Sequence, residues 1–228
     1  MILHVDGDYF FAGCEIARRP DLRGKAVVVG KERGIVTALT PEAKKLGVIR
    51  GMPVYQVRKL DKSIVILGSN YEIYRIYSKR MNHIVSRYAK IVESYSIDEC
   101  FADLNGMDTI LNKTFEEIAC SLQNDLYIEL GMTFSVGVAE TKVLAKIASK
   151  LKKPNGLTFI YKENRNEILA NTAISKVWGI GPKSSQGLYK QGIKTAFDFA
   201  DMSLSQVESI CSKPHRDIWY ELNGVSIN

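Results

Sequence analysis

Asp6 closes a short apolar run, Ile2-Leu3-His4-Val5, and is followed at once by Gly7 and Asp8. A carboxylate at the end of a buried strand needs a cation, a cage of hydrogen-bond donors or a shifted pKa, because burying it bare is costly. Asp8, just ahead of Tyr9-Phe10-Phe11, also suits the cap of a following helix. For Asp6 taken alone, a structural and a chemical role weigh the same. The pair Asp98-Glu99 shifts that balance. Adjacent residues of a regular strand point to opposite faces, so both acids reach one site only where the backbone bends. A bend is expected, because Ser96-Ile97-Asp98-Glu99 lies between two strand-like runs, Lys90 to Tyr95 and Cys100 to Leu104. Three carboxylates from two strand ends can hold two hard cations about 3.5 to 4 Å apart, and Mg²⁺ prefers such a site when phosphate oxygens and waters complete its octahedron. One ion would lower the pKa of an attacking hydroxyl, and the other would neutralise charge on a leaving pyrophosphate. An isolated Asp-Glu pair is more often a solvated turn, so this one carries weight only through its surroundings.

Two further constellations suit a phosphate-rich partner. Lys142, Lys146 and Lys150 recur one helical turn apart, opposite Val143, Ile147 and Leu151, and no acid interrupts the run to Lys153. Such a stripe is usually a solvated helix face, but it also fits phosphate contacts, Lys153 above the rest because it leaves the helix beside the rigid Pro154. The stretch Val177-Trp178-Gly179-Ile180-Gly181-Pro182-Lys183 has the helix-hairpin-helix pattern, in which a glycine turn opens a helix and offers free backbone N–H groups to one phosphate of a DNA strand. An ordinary inter-helix turn is its bland counterpart. From Glu163 onward acids and bases balance, so this region is no general basic clamp.

The elements that must position these residues follow from periodicity. Ile2 to Val5 and Ala26 to Val29 are predicted as interior strands. Ile35 to Leu39 leads into a short helix, Pro41 to Leu46, with Pro near its start and Gly47 beyond its end. Helical spacing marks Asn70 to Tyr88, Phe115 to Leu130 and Lys142 to Lys152, and strands are expected at Met132 to Ala139 and Leu157 to Tyr161. The order fits an α+β, palm-like split β-α-β sheet with helices on one face, interrupted by a small α/β module. Short glycine-broken helices follow a boundary near Lys162.

Composition bounds the rest. With 46% hydrophobic residues in 228, the chain can bury a real core, which argues against disorder. A net charge of +6 and a pI near 9.0 suit a polyanionic partner without requiring one. Cys14, Cys100, Cys120 and Cys211 lie far apart and are expected to be reduced thiols. No apolar run reaches the roughly 18 residues of a membrane span, and a soluble cytoplasmic protein is the expectation.

In order along the chain, Val5-Asp6-Gly7-Asp8-Tyr9-Phe10-Phe11-Ala12, Tyr95-Ser96-Ile97-Asp98-Glu99, Lys153-Pro154-Asn155-Gly156 and Gly179-Ile180-Gly181 resemble the motifs of Y-family translesion DNA polymerases. Ser69-Asn70-Tyr71-Glu72-Ile73-Tyr74, Val177-Trp178-Gly179-Ile180-Gly181 and Gly192-Ile193-Lys194-Thr195 look closer to the UmuC-like (DNA polymerase V) branch than to the polymerase IV branch. The resemblance implies a right hand: palm from residues 1–11 and 70–162, small fingers from 12–69 and a helical helix-hairpin-helix thumb from 163–228. Family members carry a little finger after the thumb; none follows here, as expected of a truncated or unusually short member.

By position, Asp6, Asp98 and Glu99 match the catalytic ligands of two Mg²⁺ ions, with Mn²⁺ able to substitute, and the Gly7 carbonyl matches a further ligand. Phe11 matches the aromatic steric gate that leaves no space for a 2′-hydroxyl, with Tyr9 and Phe10 beside it in the nucleotide-binding run. Lys153 matches a lysine on the triphosphate and Lys44 the basic fingers residue. Gly179, Gly181 and Lys183 would meet the DNA backbone. The implied activity is template-directed addition of dNTPs to a primer 3′-hydroxyl in an SOS-type repair response. Implied partners are primer-template DNA, accessory repair subunits and a sliding clamp; the fragment is expected to be a monomer with no membrane contact. Pro41 and Lys44 stand where the polymerase IV branch has Tyr and Arg, which weakens the expected triphosphate grip. A non-catalytic DNA-binding repair module and a nucleotidyl cyclase are the rival readings.

Overall fold

Leu3 and Val5 turn to one face of their strand, His4 and Asp6 to the other, and all four are buried. The run that opens the chain is therefore covered on both sides. The computed structural model describes residues 1–227. Strand β1 (Ile2–Gly7) is central in a five-stranded sheet with β5 (Ile91–Ser94), β6 (Glu99–Asp103), β7 (Phe134–Ala139) and β8 (Leu157–Ile160), in the order β5-β6-β1-β7-β8. It runs antiparallel to both neighbours, with Asp6 opposite Glu99 on one side and Ser135 on the other. β7 and β8 are parallel and joined through helix α7 (Lys142–Leu151).

Helices α4 (Tyr71–Val85) and α6 (Phe115–Leu130) cover the Leu3/Val5 face, with Met81, Ile84, Leu122 and Leu126 in one continuous core. α7 covers the opposite face, so the expectation of helices on one side is corrected: they flank the sheet. Gly137 is the physical reason. A Cβ there would stand 2.1 Å from the Ala145 carbonyl oxygen and 2.3 Å from the Ser149 nitrogen, so glycine lets the α7 backbone close directly on β7. The bounds of α6 are those the sequence predicts, because Thr114 and Glu117 form a reciprocal capping box and Gly131, at φ 68°, ends the helix.

Between β1 and α4 lies the small module. Helix α1 (Phe10–Arg18) leads to a three-stranded sheet of β2 (Val27–Val29), β3 (Ala38–Leu39) and β4 (Val65–Leu67) in the order β3-β2-β4, carrying α2 (Pro41–Lys45) and α3 (Val54–Leu60). The strand expected from Ile35 is shortened to Ala38–Leu39, since Ile35 makes an isolated bridge to Pro53 instead. The module has its own core of Val28, Val36, Ala43, Val48, Val57 and Ile64.

After the short α5 (Met107–Leu111) within the larger sheet's helical layer, the remaining helices are C-terminal: α8 (Lys162–Ala170), α9 (Pro182–Lys190), α10 (Ala196–Ala200), α11 (Leu204–Ile210) and α12 (Lys213–Leu222). They dock on α7, where Ile218 and Leu222 share a core with Val143, Leu144 and Ile147. α12 also caps α7: the Glu221 carboxylate accepts from the Val143 N–H, and the Glu221 carbonyl accepts from the Thr141 hydroxyl, both at 2.8 Å. The four cysteines are free thiols. Among the described residues no helix is long and apolar enough to cross a membrane.

Candidate active site

The register of β1 against β6 places Asp6 beside Glu99 on the α7 face of the sheet. Asp98 occupies the turn between β5 and β6, which is closed by the Tyr95 and Ser96 N–H groups donating to the Glu99 carbonyl, each at 3.1 Å. Its backbone carbonyl accepts from the Gly7 N–H at 2.8 Å, and its carboxylate accepts from the Ser96 hydroxyl at 2.6 Å. The expected bend is present, and it brings all three acids to the wall of one cleft of about 430 Å³. Asp6 accepts from the Lys153 ammonium at 2.5 Å. Asp8 turns away to a structural role, accepting from the Ser135 hydroxyl at 2.8 Å and the Asn155 N–H at 2.7 Å, which ties the Lys153-Pro154-Asn155 loop to β7.

The same cleft is lined by Gly7, Tyr9, Phe11, Arg50, Lys150 and Lys153, and by Thr37, Ala38 and Leu39 of the small module. Tyr9 takes a left-handed backbone at φ 40° as the chain turns into α1. Phe11 is held by stacking on Tyr74 at 4.5 Å and 14°, with Tyr71 edge-on at 5.5 Å. Phe10 also borders the cleft but is buried in the core, its ring filling the space a Gly7 Cβ would need. Lys44 is exposed at the end of α2 and is not among the lining residues; Arg50, in the loop between Gly47 and Gly51, is the small module's cation in the wall. Gly179, Gly181 and Lys183 lie apart from the cleft on the C-terminal helices. Gly179, at φ 87°, packs against Ile218, and the exposed Gly181 caps α9. One 3-10 turn, Ile174–Lys176, precedes that glycine turn.

Two residues of this face were not marked as site residues by their local sequence, or not in the right role. His4 is wholly buried, with Nε2 3.0 Å from Glu99 and Nδ1 2.8 Å from the Ser149 hydroxyl. Ligand atoms of His4, Asp6 and Glu99 lie within 4.8 Å of one another. Because both His4 nitrogens are already engaged, we assign it to anchoring Glu99 and leave the oxygen donors, the set a hard cation prefers, for any metal. Lys146 was expected on a stripe facing solvent or phosphate; it is 5% exposed and approaches both Glu99 oxygens, at 2.9 and 3.1 Å.

These contacts set the charges. Burial raises the Asp6 pKa, with Lys153 drawing it back. Burial also opposes ionisation of Glu99, but the hydrogen bonds from His4 and Lys146 outweigh it and bring its pKa down to about 2. A carboxylate with a depressed folded pKa adds stability that is fully present above its unfolded value and is lost as pH falls through the folded one. In chelator-treated protein, denaturant stability should therefore fall between about pH 4.5 and 2 in part through Glu99. Glu99→Gln should flatten the profile in that window, and an unchanged profile would remove Glu99 from the acid transition.

Residues 5–150 match the model of the impB/mucB/samB family. The whole chain also superposes on the Y-family DNA polymerase chimera Dbh-Dpo4-Dbh with a TM-score of 0.85 and 30% identity, covering 68% of that protein. This chain belongs to that family. Among relatives of this Y-family member, DNA polymerase IV of Desulfatibacillum aliphaticivorans is 40% identical over 200 residues, 87% of this chain and 50% of that protein. DNA polymerase IV of Clostridioides difficile (strain 630) is 34% identical over 227 residues, 98% of this chain and 62% of that protein. The chain thus spans half to three fifths of the length of these curated relatives. Their names do not support the UmuC-like branch. Of the residues that suggested it, Tyr71 and Tyr74 pack on Phe11, and Trp178 packs on Tyr95 and Phe101. Such packing roles mark no branch.

Proposed function

We propose that this chain is the catalytic core of a lesion-tolerant, template-directed DNA polymerase that adds a deoxynucleotide to a primer 3′-hydroxyl. The observation that carries the reading is one cleft that gathers Asp6, Asp98 and Glu99 with Phe11 and Lys153. In this reading Asp6, Asp98, Glu99 and the Gly7 carbonyl hold two Mg²⁺ ions, for which Mn²⁺ can substitute. Bound there, the metal supplies activation of the attacking hydroxyl and neutralisation of the leaving pyrophosphate. Lys153 and Arg50 orient the triphosphate, Tyr9 borders it, Phe10 supports the turn from below, and the Phe11 ring excludes a 2′-hydroxyl. Thr37 and Ala38 line the cleft from the small module, and in this reading they face the incoming nucleotide and its template base.

In this reading the larger sheet with its helices is the palm (1–11, 70–162), the small module the fingers (12–69) and the C-terminal helices the thumb (163–228). The N-terminal end of α9, with Gly179, Gly181 and Lys183, grips the DNA backbone, and Lys44 meets the polyanion only outside the cleft. Accessory repair subunits and a sliding clamp are further partners in this reading. Primer extension tests it: this chain with primer-template, dNTPs and Mg²⁺ should lengthen the primer, and excess chelator should stop it. No product at any Mg²⁺ or Mn²⁺ concentration would defeat the proposal.

A further inference from the structure

Trp178 leaves the C-terminal helices and reaches the hairpin that carries Asp98 and Glu99. Its indole N–H donates to the Tyr95 hydroxyl at 3.0 Å, and its ring stands edge-on to Tyr95 at 5.1 Å and stacks on Phe101 at 5.4 Å and 28°. The Lys146 ammonium lies within this group, 4.2 Å from the Tyr95 ring centre, 4.9 Å from Trp178 and 6.0 Å from Phe101. The same ammonium bridges both oxygens of Glu99. A buried lysine is costly unless its charge is compensated. Here one carboxylate compensates part of it and aromatic faces cover the rest, an attraction that strengthens when water is excluded.

An ordinary contact between two packed units would not need this arrangement, because α12 already holds α7 through Ile218, Leu222 and the Glu221 cap. What Trp178 adds is contact with two of the three groups that hold Glu99: Tyr95, whose N–H donates to the Glu99 carbonyl, and Lys146 on α7; the third, His4, holds the carboxylate from within β1. We propose that Trp178 is a positioning residue for Glu99, closing an aromatic cage on the Lys146 ammonium so that the seating of the C-terminal helices sets where that carboxylate stands. The kinetic arm of the test rests on the polymerase reading, and the stability arm does not.

Trp178 and Glu99 make no direct contact among the described interactions, so their effects on stability are additive unless something links them. A double-mutant cycle of Trp178→Ala and Glu99→Gln, read as denaturant midpoints of the metal-free chain, should fall clearly short of additive. The shortfall should vanish when Lys146→Met is present in all four proteins. Additive midpoints would overturn the proposal whether or not a primer is extended. In single-nucleotide extension, Trp178→Ala should lower turnover about tenfold with the dNTP KM within about twofold, since a small displacement of a positioned group acts on the rate. Trp178→Phe keeps an aromatic face over Lys146 and should recover most of the loss. Unchanged turnover in a Trp178→Ala protein that extends primers would also overturn it, as would a loss confined to DNA affinity. If the unaltered chain extends nothing, the polymerase reading fails and the cycle alone decides the coupling.

Discussion

Asp6→Asn should abolish nucleotide addition while leaving the protein folded. The amide keeps the shape of the carboxylate and can still accept from Lys153, so β1 and its neighbours lose no packing. What it removes is the charge that the strand register aims into the cleft beside Glu99. Burial makes the folded Asp6 carboxyl ionise less readily than an unfolded one, so its charge at neutral pH works against folding. The thermal midpoint of the variant should accordingly hold or rise. Turnover should fall on the order of a thousandfold, the equivalent of about 4 kcal/mol of transition-state stabilisation, because an anionic oxygen donor to the metal is gone. Single-nucleotide extension alongside thermal unfolding checks both halves. A rate within tenfold of the parent would take Asp6 out of the metal-holding set, and a collapsed midpoint would recast it as a structural acid.

Phe11→Ala should cut the preference for deoxynucleotides over ribonucleotides about a hundredfold, the scale on which a site that excludes an added group loses discrimination when the excluding wall is removed. Phe11 borders the cleft, and its orientation is fixed from behind by Tyr74, whose hydroxyl donates to the buried Glu15 carboxylate at 3.0 Å. A ring locked in this way cannot swing aside for a 2′-hydroxyl. Since Phe11 is only partly buried, its truncation should cost less than the roughly 3 kcal/mol typical of a core phenylalanine. Competition between dNTP and rNTP in primer extension reads the ratio. Unaltered sugar selection would remove the gate assignment and leave Phe11 as packing for Tyr74.

The parts of this molecule that were legible in its sequence are those decided locally. Helix α6 is legible from its spacing, whose ends coincide with the Thr114–Glu117 capping box and Gly131, and the acid-bearing turn is legible because two strand-like runs frame it. The face of the sheet that α7 occupies was not legible. It depends on Gly137 admitting a helix backbone at close range, and a glycine in a strand does not announce what approaches it. His4 was hidden in an apolar run whose period of two, shared with Asp6, becomes meaningful only once the partner of Asp6 is known to be Glu99. In the sequence Lys146 reads as one of a stripe; only the packing of α7 on the sheet turns it inward to Glu99. β4 and α3 are too short to show a period: β4 is three half-buried residues, and α3 buries only Val54 and Val57.

The separation of the apolar cores has a bearing on descent. The small module is filled by Val28, Val36 and Val57 on its own account, whereas α7 shares its core with Ile218 and Leu222 and takes its cap from Glu221. Inherited substitutions are filtered unequally as a result. The inner residues of the module that walls one side of the cleft can drift with little effect on the carboxylates, apart from Val29, which belongs to the larger sheet's core. α7 and the C-terminal helices have no such freedom and must change in concert, since a mismatch between them is felt at Lys146.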